Sequence, residues 1–109
     1  MYKVKISVYF NYGGITLGFK KNMELPFVPY LGLSIIFDDE KEYELKLDSD
    51  NNYKTDIGYN IKKNQFEIII HEYCRYQISD EKLNYIFDKF SDWEKLHDLE
   101  DEKKLMNSL

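Results

Sequence analysis

The sequence predicts an α+β domain: an antiparallel sheet of five to seven strands, meander-like or curled into a barrel, with one or two C-terminal helices packed on one face. Three observations predict it. Apolar and polar residues alternate at period 2 through several stretches of residues 3–73, as half-buried strands require. Turn-forming pairs such as Gly13-Gly14 and Lys63-Asn64 punctuate those stretches. From Ser79 onward the apolar spacing lengthens to steps of three and four, the period of a helix. One domain of 109 residues follows, with residues 1–78 forming the sheet region and 79–109 the helical region.

The first strand is the clearest. Val4, Ile6, Val8 and Phe10 share one face, and Lys3, Lys5, Ser7 and Tyr9 the other. Asn11-Tyr12-Gly13-Gly14 is a turn, because glycine reaches positive φ without a Cβ clash. Ile15, Leu17, Phe19, Met23, Leu25 and Phe27 then keep one parity, interrupted only by Lys21. That pattern fits either a hairpin turning at Lys21-Asn22 or one long strand bulged at Gly18. Residues 25–33 follow, Leu-Pro-Phe-Val-Pro-Tyr-Leu-Gly-Leu. Pro26 and Pro29 each remove a ladder donor, which rules out a central strand. The segment reads as a crossing over one end of the sheet, with Phe27 and Leu31 expected to be buried and Tyr30 exposed at a wet edge; the rival reading is an exposed apolar lip for a partner, with some of Phe27, Val28, Tyr30 and Leu31 forming one patch.

Residues 33–37 are apolar except Ser34, consistent with a strand covered on both faces, and 38–41 are a polar turn. Tyr43, Leu45 and Leu47 point inward from the next strand, with Glu42, Glu44 and Lys46 outward. Ser49 to Asp56 reads as a polar loop. Ile57, Tyr59 and Ile61 lead into a hairpin, from which Phe66, Ile68 and Ile70 return, with Glu67, Ile69, His71 and Tyr73 on the opposite face. Ser79 is the expected N-cap of the helix, and Asp80 and Glu81 sit where the helix dipole favours acids. The stripe Leu83, Ile86, Phe87, Phe90, Trp93, Leu96, Leu99 faces the sheet, with a second capping-box pattern at Ser91–Glu94 where the helix divides if it forms two. The sheet's other face, carrying Lys3, Lys5, Tyr9, Thr16, Lys20, Glu42, Glu44 and Lys46, is expected to be wet.

Composition bounds the function. With 43% hydrophobic and 32% charged residues the chain has enough apolar mass to fold. Its net charge of −5 argues against duplex DNA or an anionic membrane surface as the main partner. The charge is uneven: residues 1–37 hold four Lys against one Glu, whereas 79–109 hold five Lys against nine acids. Cys74 is the only cysteine, so no intrachain disulfide forms, and a lone thiol fits a reducing compartment. The first residues lack the apolar run of a signal peptide, and no apolar run approaches the roughly 18 residues of a membrane span. The cytoplasm is the expected location.

No motif carries chemistry. Asp48-Ser49-Asp50-Asn51-Asn52 has the spacing of a calcium loop, but Tyr53 stands where that loop needs Gly and Tyr59 where it needs Glu. His71 and Cys74, three apart on a strand, face opposite sides and cannot grip one zinc or act as a nucleophile pair. Gly13-Gly14 lacks the Lys-Ser/Thr and helix of a phosphate loop. Glu42, Glu44 and Glu67 lie on faces that read as solvated, where an acid–base pair would not be tuned. No catalytic residue, cofactor or metal is therefore expected. The positive signal is ten tyrosines, a residue enriched at protein interfaces. Tyr9, Tyr12, Phe27, Tyr30 and Tyr53 are the candidate interface residues. The expectation is a small non-catalytic protein-binding domain of immunity or inhibitor type. The rivals are a small-ligand binder or enzyme using a cavity between sheet and helix, and a structural homo-oligomer, such as a homodimer, joined at a strand edge.

Overall fold

The computed structural model describes residues 1–38, 43–50 and 52–97, and, of these, the side chains of 37, 38, 43 and 44 are left aside. The elements run β1 (Tyr2–Tyr12), β2 (Ile15–Leu25), β3 (Ser34–Asp38), β4 (Tyr43–Lys46), β5 (Tyr53–Asn60), β6 (Gln65–Cys74), α1 (Asp80–Lys89) and β7 (Glu94–Lys95). Among the described residues the fold is α+β with one helix. Five strands make one mixed, mostly antiparallel sheet in the order β5-β6-β1-β2-β7, and β3 and β4 form a separate two-stranded ribbon.

β1 is the central strand. Gly13 and Gly14, at φ +49° and +92°, close a two-residue turn that pairs it with β2 in unbroken register from Tyr12↔Ile15 to Tyr2↔Leu25. The stretch around Lys21 is therefore one long strand, with neither a hairpin at Lys21-Asn22 nor a bulge at Gly18. Lys21 tolerates its inward parity because its ammonium meets Asp92 at 2.6 Å and lies 5.8 Å from the centre of the Trp93 ring. On its other side β1 pairs with β6 in parallel, Val4↔Phe66 through Tyr12↔Cys74. The expected all-antiparallel meander is corrected here. The long path from β2 to β6 supplies the crossover that a parallel neighbour demands, while β1–β2 and β5–β6 close as hairpins.

The inner face holds the core. Val4, Ile6 and Val8 of β1, Leu17 and Phe19 of β2, and Ile68 and Ile70 of β6 are all buried. Above them lie Leu83, Ile86 and Phe87 of α1, then Phe90 and Trp93 just beyond it, and Leu45 and Leu47 from the ribbon. Phe19 stacks on Phe90 with centroids 4.7 Å apart, and Phe87, Phe10 and Trp93 meet this pair edge to face. Ser79 caps the helix as its sequence predicts, its Oγ accepting from the Lys82 N–H at 3.2 Å.

Three local expectations are corrected. No second helix starts at Ser91. Trp93 turns into the core, and the next residues pair with β2 as β7, the Leu96 N–H donating to Gly18 O at 2.8 Å. Leu96 is consequently exposed, and Leu99 lies outside the described residues. The polar loop from Ser49 ends early, because β5 begins at Tyr53. β3 is covered on one face only: Ile35 packs against the core while Ile36 is exposed. The turn at 38–41 falls mostly outside the described residues, as does Glu42.

Candidate functional site

The crossing at residues 25–33 departs most from its sequence reading. Leu25 is held by the last rung of the β1–β2 ladder and is buried. Pro29 is buried too. At the far end Leu33 O accepts from the Leu47 N–H at 2.8 Å, and the Leu33 N–H closes a turn onto Tyr30 O at 3.2 Å. Gly32 makes that turn possible at φ +97°; no atom crowds its missing Cβ, so conformation is the reason for glycine here. Between these anchors Phe27, Val28, Tyr30 and Leu31 are 42%, 46%, 57% and 60% exposed. The expected burial of Phe27 and Leu31 is overturned. The α1 stripe and the ribbon leucines already fill the inner face, and of this segment's large apolar residues only Leu25 is buried and Leu33 half-buried against it. The result is an apolar lip fixed at both ends and stiffened by two prolines.

A second group sits at the opposite end of the inner face. The Tyr12 hydroxyl donates to Glu72 Oε2 at 3.2 Å. Burial, then the Glu72 charge and that hydrogen bond, push the Tyr12 phenol up to about 12. Burial and the charges of Glu72, Asp50 and Asp48 push Tyr53 up to about 12 as well. Beside them a cavity of about 180 Å³ lies between sheet and helix, lined by Tyr53, Glu72, Lys82, Lys89 and apolar neighbours. It is smaller than the roughly 300–1,000 Å³ of ordinary ligand pockets.

The outer face is less wet than its lysines imply. His71 stacks between Tyr9, 5.0 Å away, and Tyr73, 5.6 Å away, and Ser7 is buried among its neighbours. Tyr9 leans over Gly18, where an added Cβ would come within 3.1 Å of its ring. Cys74 falls on the other side of β6, opposite Tyr12. Among the described residues no group of three His, Cys, Asp or Glu is placed to hold a metal ion. The Asp48 and Asp50 carboxylates accept from the Ser49 and Asn52 N–H groups, as turn residues do. Glu67 accepts from Gln65 and Asn60, which hold its carboxyl below the usual range, the reverse of what a general acid needs.

The five candidate interface residues do not form one surface. Phe27 and Tyr30 share the lip, Tyr12 and Tyr53 flank Glu72, and Tyr9 lies on the outer face. Val28, Leu31, Glu72 and the His71 stack were not among the candidates. Strand parity alone places His71 and Tyr73 beside Tyr9 once β6 is known to neighbour β1. No helix among the described residues is long and apolar enough to cross a membrane. No family model, no curated protein and no solved structure matches the chain.

Proposed function

We propose that this chain is a non-catalytic protein-binding domain, cytoplasmic and of immunity or inhibitor type, that docks its partner through the lip of Phe27, Val28, Tyr30 and Leu31. The observation that carries the reading is the exposure of all four side chains on one short, doubly anchored segment. A contiguous apolar patch is unusual on a lone domain. Its stiffness lowers the ordering entropy lost on docking. The small size of the sheet–helix cavity counts against a ligand or substrate held between sheet and helix.

The test is affinity capture from the native host with the wild-type chain and with a Phe27→Ser/Leu31→Ser variant. A partner retained by the first and lost by the second supports the lip. A partner retained equally by both moves the interface elsewhere. Size-exclusion chromatography with light scattering on the purified chain addresses the homo-oligomer: a dimer that the double variant dissolves makes a second copy the partner.

A further inference from the structure

The ring ladder on the outer face ends in an open position that the lip does not use. The lip leaves from the Tyr2↔Leu25 end of the β1–β2 pair, and the ladder lies toward the Tyr12↔Ile15 end, where Asn11 pairs with Tyr73. Nine residue steps of about 3.4 Å along β1 place the two roughly 30 Å apart.

The ladder is built rigidly. Tyr9, His71 and Tyr73 lie nearly parallel, with interplanar angles of 19° and 13°. Asn11 locks its centre: Thr16 Oγ1 donates to Asn11 Oδ1 at 3.0 Å, so Asn11 Nδ2 faces Glu72 O and His71 Nδ1, both at 3.2 Å. Nδ1 then accepts, which leaves the proton of the neutral imidazole on Nε2. Tyr73 is the last rung. It is 43% exposed, and among the described residues its ring meets only His71.

Tyr73 lines a basin of about 900 Å³ that opens to solvent. Across it stand Arg75 and Tyr76, the guanidinium 5.1 Å from the Tyr76 ring and donating to its hydroxyl at 3.0 Å. Arg75 is the chain's only arginine and has no ion-pair partner among the described residues. Asn52 lines the basin, and Gly14 has open space where a Cβ would stand. A tyrosine, the chain's one arginine and an asparagine thus line one opening.

We infer that this basin is a stacking site for a nucleotide, its base extending the Tyr9–His71–Tyr73 ladder and its phosphate meeting Arg75. Stacking on an aromatic ring and a charge-assisted contact to phosphate are the two interactions such a ligand needs. The chain's net charge of −5 disfavours a long polyanion, so one nucleotide unit rather than a duplex is the fitting size.

The test is a nuclear magnetic resonance titration of the intact chain with AMP, with adenosine and with a single-stranded hexa-adenylate, following the tyrosine ring signals. Saturable shifts at Tyr73 with AMP, roughly tenfold weaker for Tyr73→Leu, are the expected result. Arg75→Gln is expected to bring AMP down to the affinity of adenosine. Tyr59→Leu, on the inner face, is expected to leave AMP binding unchanged. Hexa-adenylate binding more tightly than AMP identifies a nucleic-acid strand as the source of the nucleotide; equal or weaker binding identifies the free nucleotide. The inference is overturned by no saturable response to AMP, or by equal binding to wild type, Tyr73→Leu and Arg75→Gln in chains that keep their native spectra.

Discussion

Residues 83–93 and residues 25–33 are both rich in large apolar side chains, and they end in opposite environments. In the first, Leu83, Ile86, Phe87, Phe90 and Trp93 are all buried. In the second, Leu25 is buried and Leu33 half-buried, while Phe27, Val28, Tyr30 and Leu31 stand in water. Amount of apolar surface does not separate them; period does. Steps of three and four place Leu83, Ile86 and Phe87 on one side of α1, and Phe90 and Trp93 follow directly beyond its end into the same core. The crossing has no period. Pro26 and Pro29 fix their own φ values and deny the segment a place in a helix or a central strand, so no regular element turns its apolar side chains to the core. With the inner face already filled from α1 and the ribbon, the surplus stays outside.

The largest way to test that contrast is at Phe90. Its ring stacks on Phe19 and meets Phe10 and Trp93 edge to face. Phe90→Ala removes those contacts and leaves a cavity that the surrounding strands cannot close, so a loss of about 3–5 kcal/mol is expected in a urea melt. A loss under about 0.5 kcal/mol, the range of surface substitutions, would place Phe90 outside the cooperative core.

At the end of the inner face opposite the lip, Tyr12 and Tyr53 form a rim, half-buried beside Glu72. Both phenols sit at about 12 in the fold against an ordinary 10.0. Because the folded pKa is raised, the neutral phenols favour folding fully below the unfolded value, and that contribution is lost as pH climbs through about 10 to 12. Water screens these half-open positions, so the two together account for about 1–2 kcal/mol. Chemical denaturation across that range is expected to show stability falling, less steeply in Tyr12→Phe and Tyr53→Phe. Identical pH profiles for both variants and wild type would remove the rim from the stability balance.

The sequence carried the local half of this structure and little of the long-range half. β1, the Gly13-Gly14 turn, the β5–β6 turn and the Ser79 cap are decided by neighbours within a few residues, and they were legible. The parallel pairing of β1 with β6 joins residues about sixty apart, and no local pattern encodes which strand becomes the neighbour. The same limit hid β7. A capping box at Ser91 favours a helix locally, yet the burial of Trp93 and the open edge of β2 win. The lip was visible as an unusual segment, but its exposure depended on whether other elements had already filled the inner face. The ring ladder was readable in parity on each strand, and only the β1–β6 register brings its members together.

Thr55 tests whether burial alone stabilises. It lies in β5 opposite Ile70 and is buried, yet its hydroxyl has no hydrogen-bond partner among the described residues. A buried hydroxyl left unpaired carries its desolvation cost uncompensated. Thr55→Val keeps the branched shape and removes that hydroxyl, so stability is expected to rise by about 1 kcal/mol, read as a higher urea midpoint at unchanged slope. A fall instead would mean that the hydroxyl is satisfied in solution.

The smallest effect on stability is expected at the lip, and there the smallness is the informative part. Phe27 and Leu31 already contact water over 42% and 60% of their surfaces, so truncating them forfeits little folding free energy. Their backbone is held independently of them, by Leu25 in the β1–β2 ladder and by the Leu33–Leu47 hydrogen bond. Phe27→Ser and Leu31→Ser are each expected to shift stability by no more than about 0.5 kcal/mol, against several for Phe90→Ala. A near-neutral result means that folding does not require these side chains, and leaves recognition as the property on which they act. A loss above about 2 kcal/mol would show that the lip packs onto the sheet in solution, and the contrast between the two apolar stretches would then collapse.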